Sequence, residues 1–271
     1  MKHVPAMLLD RGRGRTLRRL AAPGIAPDVA AMRRFGSDHG LHLRGPRGYL
    51  AFREARRFGI DLLPPMALNG RVVDVGANEG QFAGALLQVA PQARVLAVEP
   101  EPATADRLRA RFQGDRRLTV MQTALGASIG RGELHVTDNP VFASLRRPLD
   151  ELGDQYPRGT AVAETVEVAT TTLDDLVAGP VDVLKIDVQG SEQEVLSGGP
   201  RVLRDTTAVL IEMNFVAHYE GEASFAALHD LLRDAGLRLV GLGELKRSAT
   251  TGYPLWADAC YAHPDKVGVL R

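Results

Sequence analysis

The sequence is poor in cysteine, with Cys260 as the only one among 271 residues. A single cysteine cannot form an internal disulfide, and the chain has no group of cysteines and histidines with the spacing of a zinc site. We therefore expect a reducing, cytoplasmic environment, and a fold that is held together by its apolar core.

An excess of one charge is also missing, because 33 Lys and Arg residues balance 33 Asp and Glu residues. A protein that must neutralise nucleic-acid phosphates normally carries a basic excess, so no nucleic-acid partner is expected. No run approaches the roughly 20 apolar residues that span a bilayer, and the first 20 residues lack the apolar core of a secretory signal. A protein without a membrane partner is predicted, with the arginines between Arg11 and Arg19 on a solvated arm.

Two regions differ in composition. Residues 1–66 are rich in Arg, Gly, Pro and His, and only "YLAFREARRFGIDLL" has helical spacing, which predicts an N-terminal arm followed by a helical cap. Pro64 and Pro65 then mark a linker, since each proline removes a backbone donor. The second predicted domain covers residues 67–271.

From Asn69 onward, short apolar runs alternate with longer amphipathic ones, as in "RVVDVGA" followed by "GQFAGALLQVA". Such alternation predicts an α/β fold with a parallel sheet and helices on both faces. The segments "LRLVGLGEL" and "WADACYAHP" follow each other without a helix, so an antiparallel edge is expected. Residues 130–172 interrupt the alternation, and "GELHVTD" has the period of an exposed hairpin. We predict one continuous strand for "LTVMQTALG" and one helix for "SEQEVLSGGPRVLRD".

The first strand ends in "VVDVGANEG", where polar and small residues replace the apolar run. Gly76 and Gly80 permit a sharp turn and a close approach of the backbone to a ligand, and Asn78 tolerates a left-handed conformation between them. The spacing is not the GxGxxG of a dinucleotide site, and the lysine of a phosphate-binding loop is absent. Asp74, just before the turn, suits a cation or a donor-rich ligand better than a pyrophosphate.

Glu99 ends the second strand, about 25 positions after Asp74. A carboxylate at this strand tip is well placed to accept hydrogen bonds from both ribose hydroxyls of an adenosine. The loop and Glu99 together predict a ligand that contains adenosine without phosphates.

Four segments, "VVDVGANEGQF", "VLAVEPEP", "TALG" and "VDVLKIDVQGSEQEVLSGG", resemble the FkbM-type family of S-adenosylmethionine-dependent methyltransferases. They occur in the family's order, and the resemblance covers about Val72 to Asp258. It implies a class I methyltransferase fold, S-adenosylmethionine as cofactor, and O-methylation of a small hydroxylated molecule such as a polyketide, a sugar or another secondary metabolite.

Residue by residue, the resemblance implies a cofactor site at the strand tips. Asp187 ends the fourth strand and would face the methyl group and the substrate. The family usually has glutamate where this chain has Gln189, which leaves a hydrogen-bonding role but removes the charge. The implied cofactor contacts run from the methionine part to the ribose, the adenine and a later loop: Asp74, Gly76, Asn78 and Gly80; Glu99; Thr123, Ala124 and Leu125; and Ser144.

Removal of the hydroxyl proton needs a general base within hydrogen-bond reach. The candidates are Asp187, Glu212 in "LIEMNF", and His218 in the loop that follows. Alternatively, Asp187, Glu212 and Asn214 could converge as oxygen ligands of a magnesium ion, which would lower the pKa of the substrate hydroxyl.

Other functions stay open at this stage. A non-catalytic module could retain the cofactor loop without an acceptor site, and nitrogen could replace oxygen as the methyl acceptor. A nicotinamide oxidoreductase is disfavoured because GxGxxG is absent, and a nucleic-acid methyltransferase because "KIDVQG" stands where an "NPPY"-like motif would be. The sequence does not decide the oligomeric state, for which a homodimer is one option.

Overall fold

A computed structural model describes residues 25–38, 41, 43–156 and 159–268. The chain divides into two compact units, residues 1–53 and 54–271. The predicted arm with Arg11 to Arg19 lies outside the described residues, and the boundary after Met66 stays a prediction. In the part of the chain that is described, no helix has the length and apolar character needed to cross a membrane.

The helices and strands follow the predicted alternation from residue 71 onward. The helices are α1 Ile25–Asp38, α2 Gly45–Arg57, α3 Gln81–Val89, α4 Pro102–Arg111, α5 Asp150–Gln155, α6 Leu173–Leu176, α7 Glu192–Ser197, α8 Pro200–Asp205, α9 Phe225–Asp234 and α10 Pro264–Val267. The strands are β1 Arg71–Val75, β2 Arg94–Val98, β3 Leu118–Met121, β4 Ala124–Leu125, β5 Gly130–Thr137, β6 Val162–Thr171, β7 Val181–Ile186, β8 Thr206–Asn214, β9 Arg238–Leu242, β10 Lys246–Arg247 and β11 Pro254–Ala262.

Helix α1 was not predicted from the sequence. Its apolar positions Met32 and Phe35 are buried, but Arg33 and Arg34 stand between them and weaken the periodic pattern. Helix α2 overlaps the predicted helical segment, residues 49–63, but it begins at Gly45 and ends at Arg57, before a short 3₁₀ turn at Ile60–Leu62.

The main sheet has the strand order β3-β2-β1-β7-β8-β11-β10, with β9 also paired to β11. Strands β3, β2, β1, β7 and β8 run parallel, whereas β11 is antiparallel to β8, β9 and β10. The predicted α/β fold with an antiparallel edge is therefore confirmed, and its strand order reverses between β1 and β7, where open α/β sheets bind ligands.

The two faces of the central strands differ in chemistry. On one face Leu184, Ile186 and Ile211 are fully buried in the main core, and burial of such side chains contributes about 1.5–3 kcal/mol each. On the other face Asp74 lies beside Lys185, and Glu212 beside Asp258, in the strand register. Strand alternation thus aligns a row of ionisable groups across β1, β7, β8 and β11.

The prediction of one strand through "LTVMQTALG" was wrong. Strand β3 ends at Met121, and Ala124–Leu125 pairs instead with β6 in a separate three-stranded sheet. The Thr123 hydroxyl donates to the carbonyl of Ala169 at 3.0 Å, and Ala124 packs into a small second core. The hydrogen bond to Ala169 and the pairing with Thr170 each join residues 46 positions apart, so the local pattern could not reveal them.

The single helix predicted for residues 191–205 is also two helices, α7 and α8. A Cβ at Gly198 would lie 2.1 Å from the carbonyl oxygen of Gly126. Glycine is therefore required for this close approach, and two adjacent glycines weaken a helix. Pro200 then begins α8 at a position where its missing N–H costs nothing.

The excursion between β4 and β7 contains the predicted antiparallel pair, β5 with β6. It is not exposed along its length, because residues 134–137 are buried. The segment after β5 first folds back onto that strand, where His135 and Ser144 exchange both backbone hydrogen bonds, and then pairs with the loop after β8 through Pro148 and Leu149.

Candidate active site

Gly76 brings the ends of β1 and β7 into contact. Its φ is +76°, and a Cβ there would lie 1.8 Å from the carbonyl oxygen of Asp187. The backbone N–H groups of Gly76 and Ala77 both donate to the carbonyl of Val98 at 3.0 Å, which ties the turn to β2 as well. The glycine is therefore needed for both its conformation and its size.

The rest of this turn leads into helix α3. Asn78 has a φ of +49°, and its side-chain oxygen accepts hydrogen bonds from the backbone N–H of Glu79 at 2.7 Å and from Gln81 at 3.2 Å. Gly80 has a φ of +75° and lies against Phe112, where a Cβ would approach the ring to 2.5 Å. Gly80 thus shapes the turn without lining the cavity described below.

Glu99 is buried at the end of β2. Its carboxylate accepts from the backbone N–H of Asn78 at 2.8 Å and of Glu101 at 3.0 Å, one bond for each oxygen. Burial raises the pKa of Glu99 to about 7, against the opposing effect of these hydrogen bonds. Each carboxylate oxygen can accept further bonds, so two hydroxyl donors can be accommodated.

A buried cation lies between two aspartates at the β1–β7 junction. The Nζ of Lys185 is 3.1 Å from Asp187 and 3.5 Å from Asp74, and it lies 5.8 Å from the ring centre of Phe82. Burial alone would lower the pKa of Lys185, but Asp187 and Asp74 outweigh it and keep the pKa above its ordinary value. Asp187 is the nearer partner of Lys185.

Asp74 lies behind this cation and is fully buried. Its carboxylate accepts no hydrogen bond from the described residues, and burial raises its pKa against the effect of Lys185. Asp74 does not line the cavity, so its predicted contact with the cofactor stays a prediction, and the structure relates it to Lys185 instead.

Gln189 links Asp187 to the loop after β8. Its side-chain amide donates to Asp187 Oδ1 at 2.7 Å, and its side-chain oxygen accepts from the Tyr219 hydroxyl at 2.7 Å. Its backbone carbonyl accepts from the hydroxyl of Ser144 at 2.5 Å. Gln189 has a φ of +57°, a conformation that is unfavourable for a residue with a Cβ and that recurs at functional sites.

The other predicted base and metal residues lie at the end of β8. Burial, and then the charge of Asp187, raise the pKa of Glu212 well above its ordinary value, which favours the neutral acid. Asn214 donates to Glu222 at 2.5 Å. His218 is buried, its Nε2 has no partner among the described residues, and burial lowers its pKa against the effect of Glu222.

The predicted magnesium site has no support in this geometry. No group of three or more His, Cys, Asp or Glu side chains within the described residues could hold a metal ion. The amide nitrogen of Asn214 donates to Glu222, and its side-chain oxygen, the atom that could bind a metal, has no partner among the described residues.

A cavity of about 230 Å³ joins the ends of the strands. It is lined by three predicted residues from the first two loops, Gly76, Asn78 and Glu99, and by Thr123, Ala124 and Leu125 from the region after β3. Ser144 and Asp187 complete the predicted set. The predicted residues Asp74, Gly80, Glu212, Asn214 and His218 do not line it.

Sequence reasoning missed several residues of this cavity. Arg57 and Phe58 reach it from the segment before β1, and Phe82 reaches it from α3. The motif "KIDVQG" did draw attention to Lys185 and Gln189, but their partners Asp74 and Tyr219 are distant in sequence. The lining of the site includes two carboxylates, Glu99 after β2 and Asp187 after β7, together with polar and apolar side chains.

From the contact between Gln189 and Asp187, we predict the behaviour of the Gln189→Glu variant. A carboxylate in place of the amide would share one proton with Asp187, because two like charges at about 3 Å cannot both ionise freely. In a methyl-transfer assay, the acidic limb of the kcat/KM pH profile is expected to move to higher pH by about 1 unit or more. Gln193→Glu, an exposed change of equal charge, is the control; equal profiles for both variants would contradict a role for the 189 amide.

Comparison with known proteins gives consistent results. Residues 74–239 match the family model described as Methyltransferase FkbM domain. The chain is 29% identical over 173 residues to the 2-O-methyltransferase NoeI of Sinorhizobium fredii, which covers 59% of this chain and 70% of that protein. It is also 31% identical over 146 residues to the hexuronic acid methyltransferase AglP of Haloferax volcanii. This alignment covers 52% of this chain and 54% of that protein, so the chain spans about half the length of this relative.

Among solved structures, the methyltransferase FkbM from Methylobacillus flagellatus KT matches with a TM-score of 0.47 and 16% identity. That alignment covers 88% of this chain and 59% of the other chain.

Proposed function

Because the chain belongs to the FkbM methyltransferase family, we propose that it transfers a methyl group from S-adenosylmethionine to a hydroxyl of a small molecule. The observation that carries this proposal is that Glu99 and Asp187, which follow β2 and β7, both line one cavity. The turn after β1 packs closely against the backbone of Asp187 at Gly76. This turn contains no lysine of the kind that binds phosphate.

The residues of the cavity fit this cofactor. Glu99 retains free acceptor positions for two ribose hydroxyls, and the apolar wall of Ala124, Leu125 and Leu134 suits an adenine ring. Asp187 lines the same space. When bound, S-adenosylmethionine supplies an activated methyl group next to a positive sulfur.

Asp187 is the general base that the geometry favours. It lines the cavity and its side chain is 36% exposed, whereas Glu212 and His218 do not line the cavity. Lys185 holds Oδ2 and Gln189 holds Oδ1, so the carboxylate is fixed in orientation. It would align the acceptor hydroxyl and take its proton, and alignment together with general-base catalysis supplies much of the rate in such reactions.

The relatives indicate which acceptor to test first. One is named as a 2-O-methyltransferase and another as a hexuronic acid methyltransferase. We therefore propose a sugar hydroxyl as the acceptor, with other hydroxylated metabolites in second place.

The test is transfer of a labelled methyl group from S-adenosylmethionine to a panel of sugars, uronic acids and hydroxylated aromatic compounds. Label in an oxygen-bound methyl group is the expected result, and label on nitrogen would replace O-methylation by N-methylation. Cofactor binding without turnover across the panel would favour a non-catalytic module. Tight binding of NAD in place of S-adenosylmethionine would refute the proposal.

Glu99 gives cofactor binding a predictable pH dependence. The raised pKa, about 7, means that Glu99 is largely protonated below pH 7 and becomes a full acceptor for the ribose hydroxyls above it. Affinity for S-adenosylhomocysteine, the demethylated product, is therefore expected to rise between pH 6 and pH 8. Glu99→Gln is expected to weaken binding at pH 8 by about tenfold, the size of a hydrogen bond to a charged group, and to flatten the pH dependence.

Titration calorimetry at pH 6, 7 and 8 measures both effects. Glu133→Gln, an exposed change of the same type, is the matched control and should retain the wild-type profile. A pH dependence that persists unchanged in Glu99→Gln would show that another group is responsible.

A further inference from the structure

Among the residues that the structure describes, two cationic side chains line the cavity, Arg57 and Lys185. Lys185 is already ion-paired, because its Nζ contacts Asp187 at 3.1 Å and Asp74 at 3.5 Å. Arg57 forms no ion pair with any described residue; its guanidinium lies 5.4 Å from the ring centre of Phe58, which also lines the cavity. Of the described cations that line the cavity, Arg57 is therefore the one available to an anionic group.

The neighbours of Arg57 show at which end of the cavity it stands. Gly59, two residues further, packs against Leu210, whose Cδ1 would lie 3.1 Å from a Cβ at that glycine. Leu210 is the strand neighbour of Lys185 in the sheet. Arg57 thus approaches from the side of β7 and β8, whereas Glu99 is at the end of β2, two strands away from β7.

This position matches the amino-acid part of the proposed cofactor. If Glu99 holds the ribose, the methionine part extends toward Lys185 and Asp187, and its α-carboxylate needs a donor there. Asp187 would repel it, and Lys185 is already bound by two carboxylates. A guanidinium offers two parallel N–H donors that match a carboxylate, and stacking on an aromatic ring restricts its motion before binding.

We propose that Arg57 is a carboxylate-binding residue of this cavity, and that the carboxylate is the one on the methionine part of the cofactor. The inference rests on the proposed function and extends it, because it adds a residue from the segment before the methyltransferase core to the cofactor site. A carboxylate on the acceptor, such as that of a uronic acid, has the same chemistry and is the other possible source.

The experiment compares two ligands that differ only in the carboxylate. S-adenosylmethionine carries it, and decarboxylated S-adenosylmethionine keeps the sulfonium, the amine and the adenosine without it. Arg57→Ala is expected to weaken the binding of S-adenosylmethionine by about tenfold and to leave the binding of the decarboxylated ligand unchanged. The loss should be smaller at high salt, because the Arg57 side chain is exposed. Arg57→Lys should recover part of the loss, since it keeps the charge but not the paired donors.

Arg56→Ala is the matched control, because Arg56 is the adjacent arginine, pairs with Asp61 at 3.6 Å and does not line the cavity. If Arg57→Ala leaves both cofactor ligands unchanged, binding of glucuronate and glucose is measured with S-adenosylhomocysteine present. If Arg57→Ala weakens the binding of glucuronate but not of glucose, the carboxylate that Arg57 binds belongs to the acceptor and not to the cofactor.

The inference is overturned if Arg57→Ala causes no selective loss of affinity within either pair of ligands. That result is distinct from failure of the proposed function, in which the unaltered protein itself would bind no S-adenosylmethionine.

Discussion

Replacing Asp187 with asparagine is expected to lower kcat by about 10²–10⁴-fold, the range in which a positioned general base contributes. The asparagine has nearly the same shape and can still accept from Gln189, but it cannot take a proton from the acceptor hydroxyl. Affinity for S-adenosylhomocysteine should change only a few-fold, because Glu99 and the turn at Gly76 are untouched. Steady-state kinetics with the best acceptor of the panel, together with calorimetry, separate the two effects.

Asp106→Asn is the matched control, since Asp106 is an exposed aspartate paired with Arg109 and remote from the cavity. It should retain the wild-type kcat. A wild-type kcat in Asp187→Asn would exclude Asp187 as the base, and the same measurement on Glu212→Gln and His218→Gln would then decide between the remaining candidates.

Gly76→Ala is expected to have the largest effect on stability. A methyl group there would lie 1.8 Å from the carbonyl oxygen of Asp187, on a backbone with a φ of +76°. The left-handed conformation costs about 1–2 kcal/mol for alanine, and overpacking against backbone adds about 1–3 kcal/mol. The free energy of unfolding should therefore fall by about 2–5 kcal/mol, with loss of cofactor binding because the ends of β1 and β7 are forced apart.

Gly114→Ala separates the two contributions. Gly114 has a φ of +83°, and a Cβ there would meet nothing within 4 Å. This variant should lose only the conformational part, about 1–2 kcal/mol, and should bind the cofactor normally. Urea unfolding measures both variants. If the two variants lose the same free energy of unfolding, the backbone at the contact between β1 and β7 can shift at little cost to make room for the added methyl group.

Much of the fold could be predicted from the sequence because its determinants are local. The alternation of buried strands and amphipathic helices predicted the parallel sheet, and the segment without a helix before β11 predicted the antiparallel edge. Predictions failed where distant contacts override the local pattern. Ala124 leaves the main sheet to pair with Thr170, and Gly198 breaks a helix to approach Gly126.

The candidate site divides in the same way. Gly76, Asn78 and Glu99 follow strands directly, and the structure brings them to one cavity, as their pattern indicates. The resemblance placed Asp187 opposite the methyl group, and Glu212 and His218 were further candidates for the base. The structure adds a distinction by packing: Asp187 lines the cavity, and the other two do not.

The sequence by itself determined the α/β architecture, the turn after β1 and the carboxylate at the end of β2, because strand periodicity and the conformational freedom of glycine act between near neighbours. The tertiary structure decided which ionisable groups meet. Lys185 joins Asp74 to Asp187, Gln189 joins Asp187 to Tyr219, and Arg57 reaches the cavity from the segment before β1. Lys185 and Gln189 are each only two residues from Asp187, but the pairings with Asp74 and Tyr219 and the position of Arg57 depend on how separate elements pack.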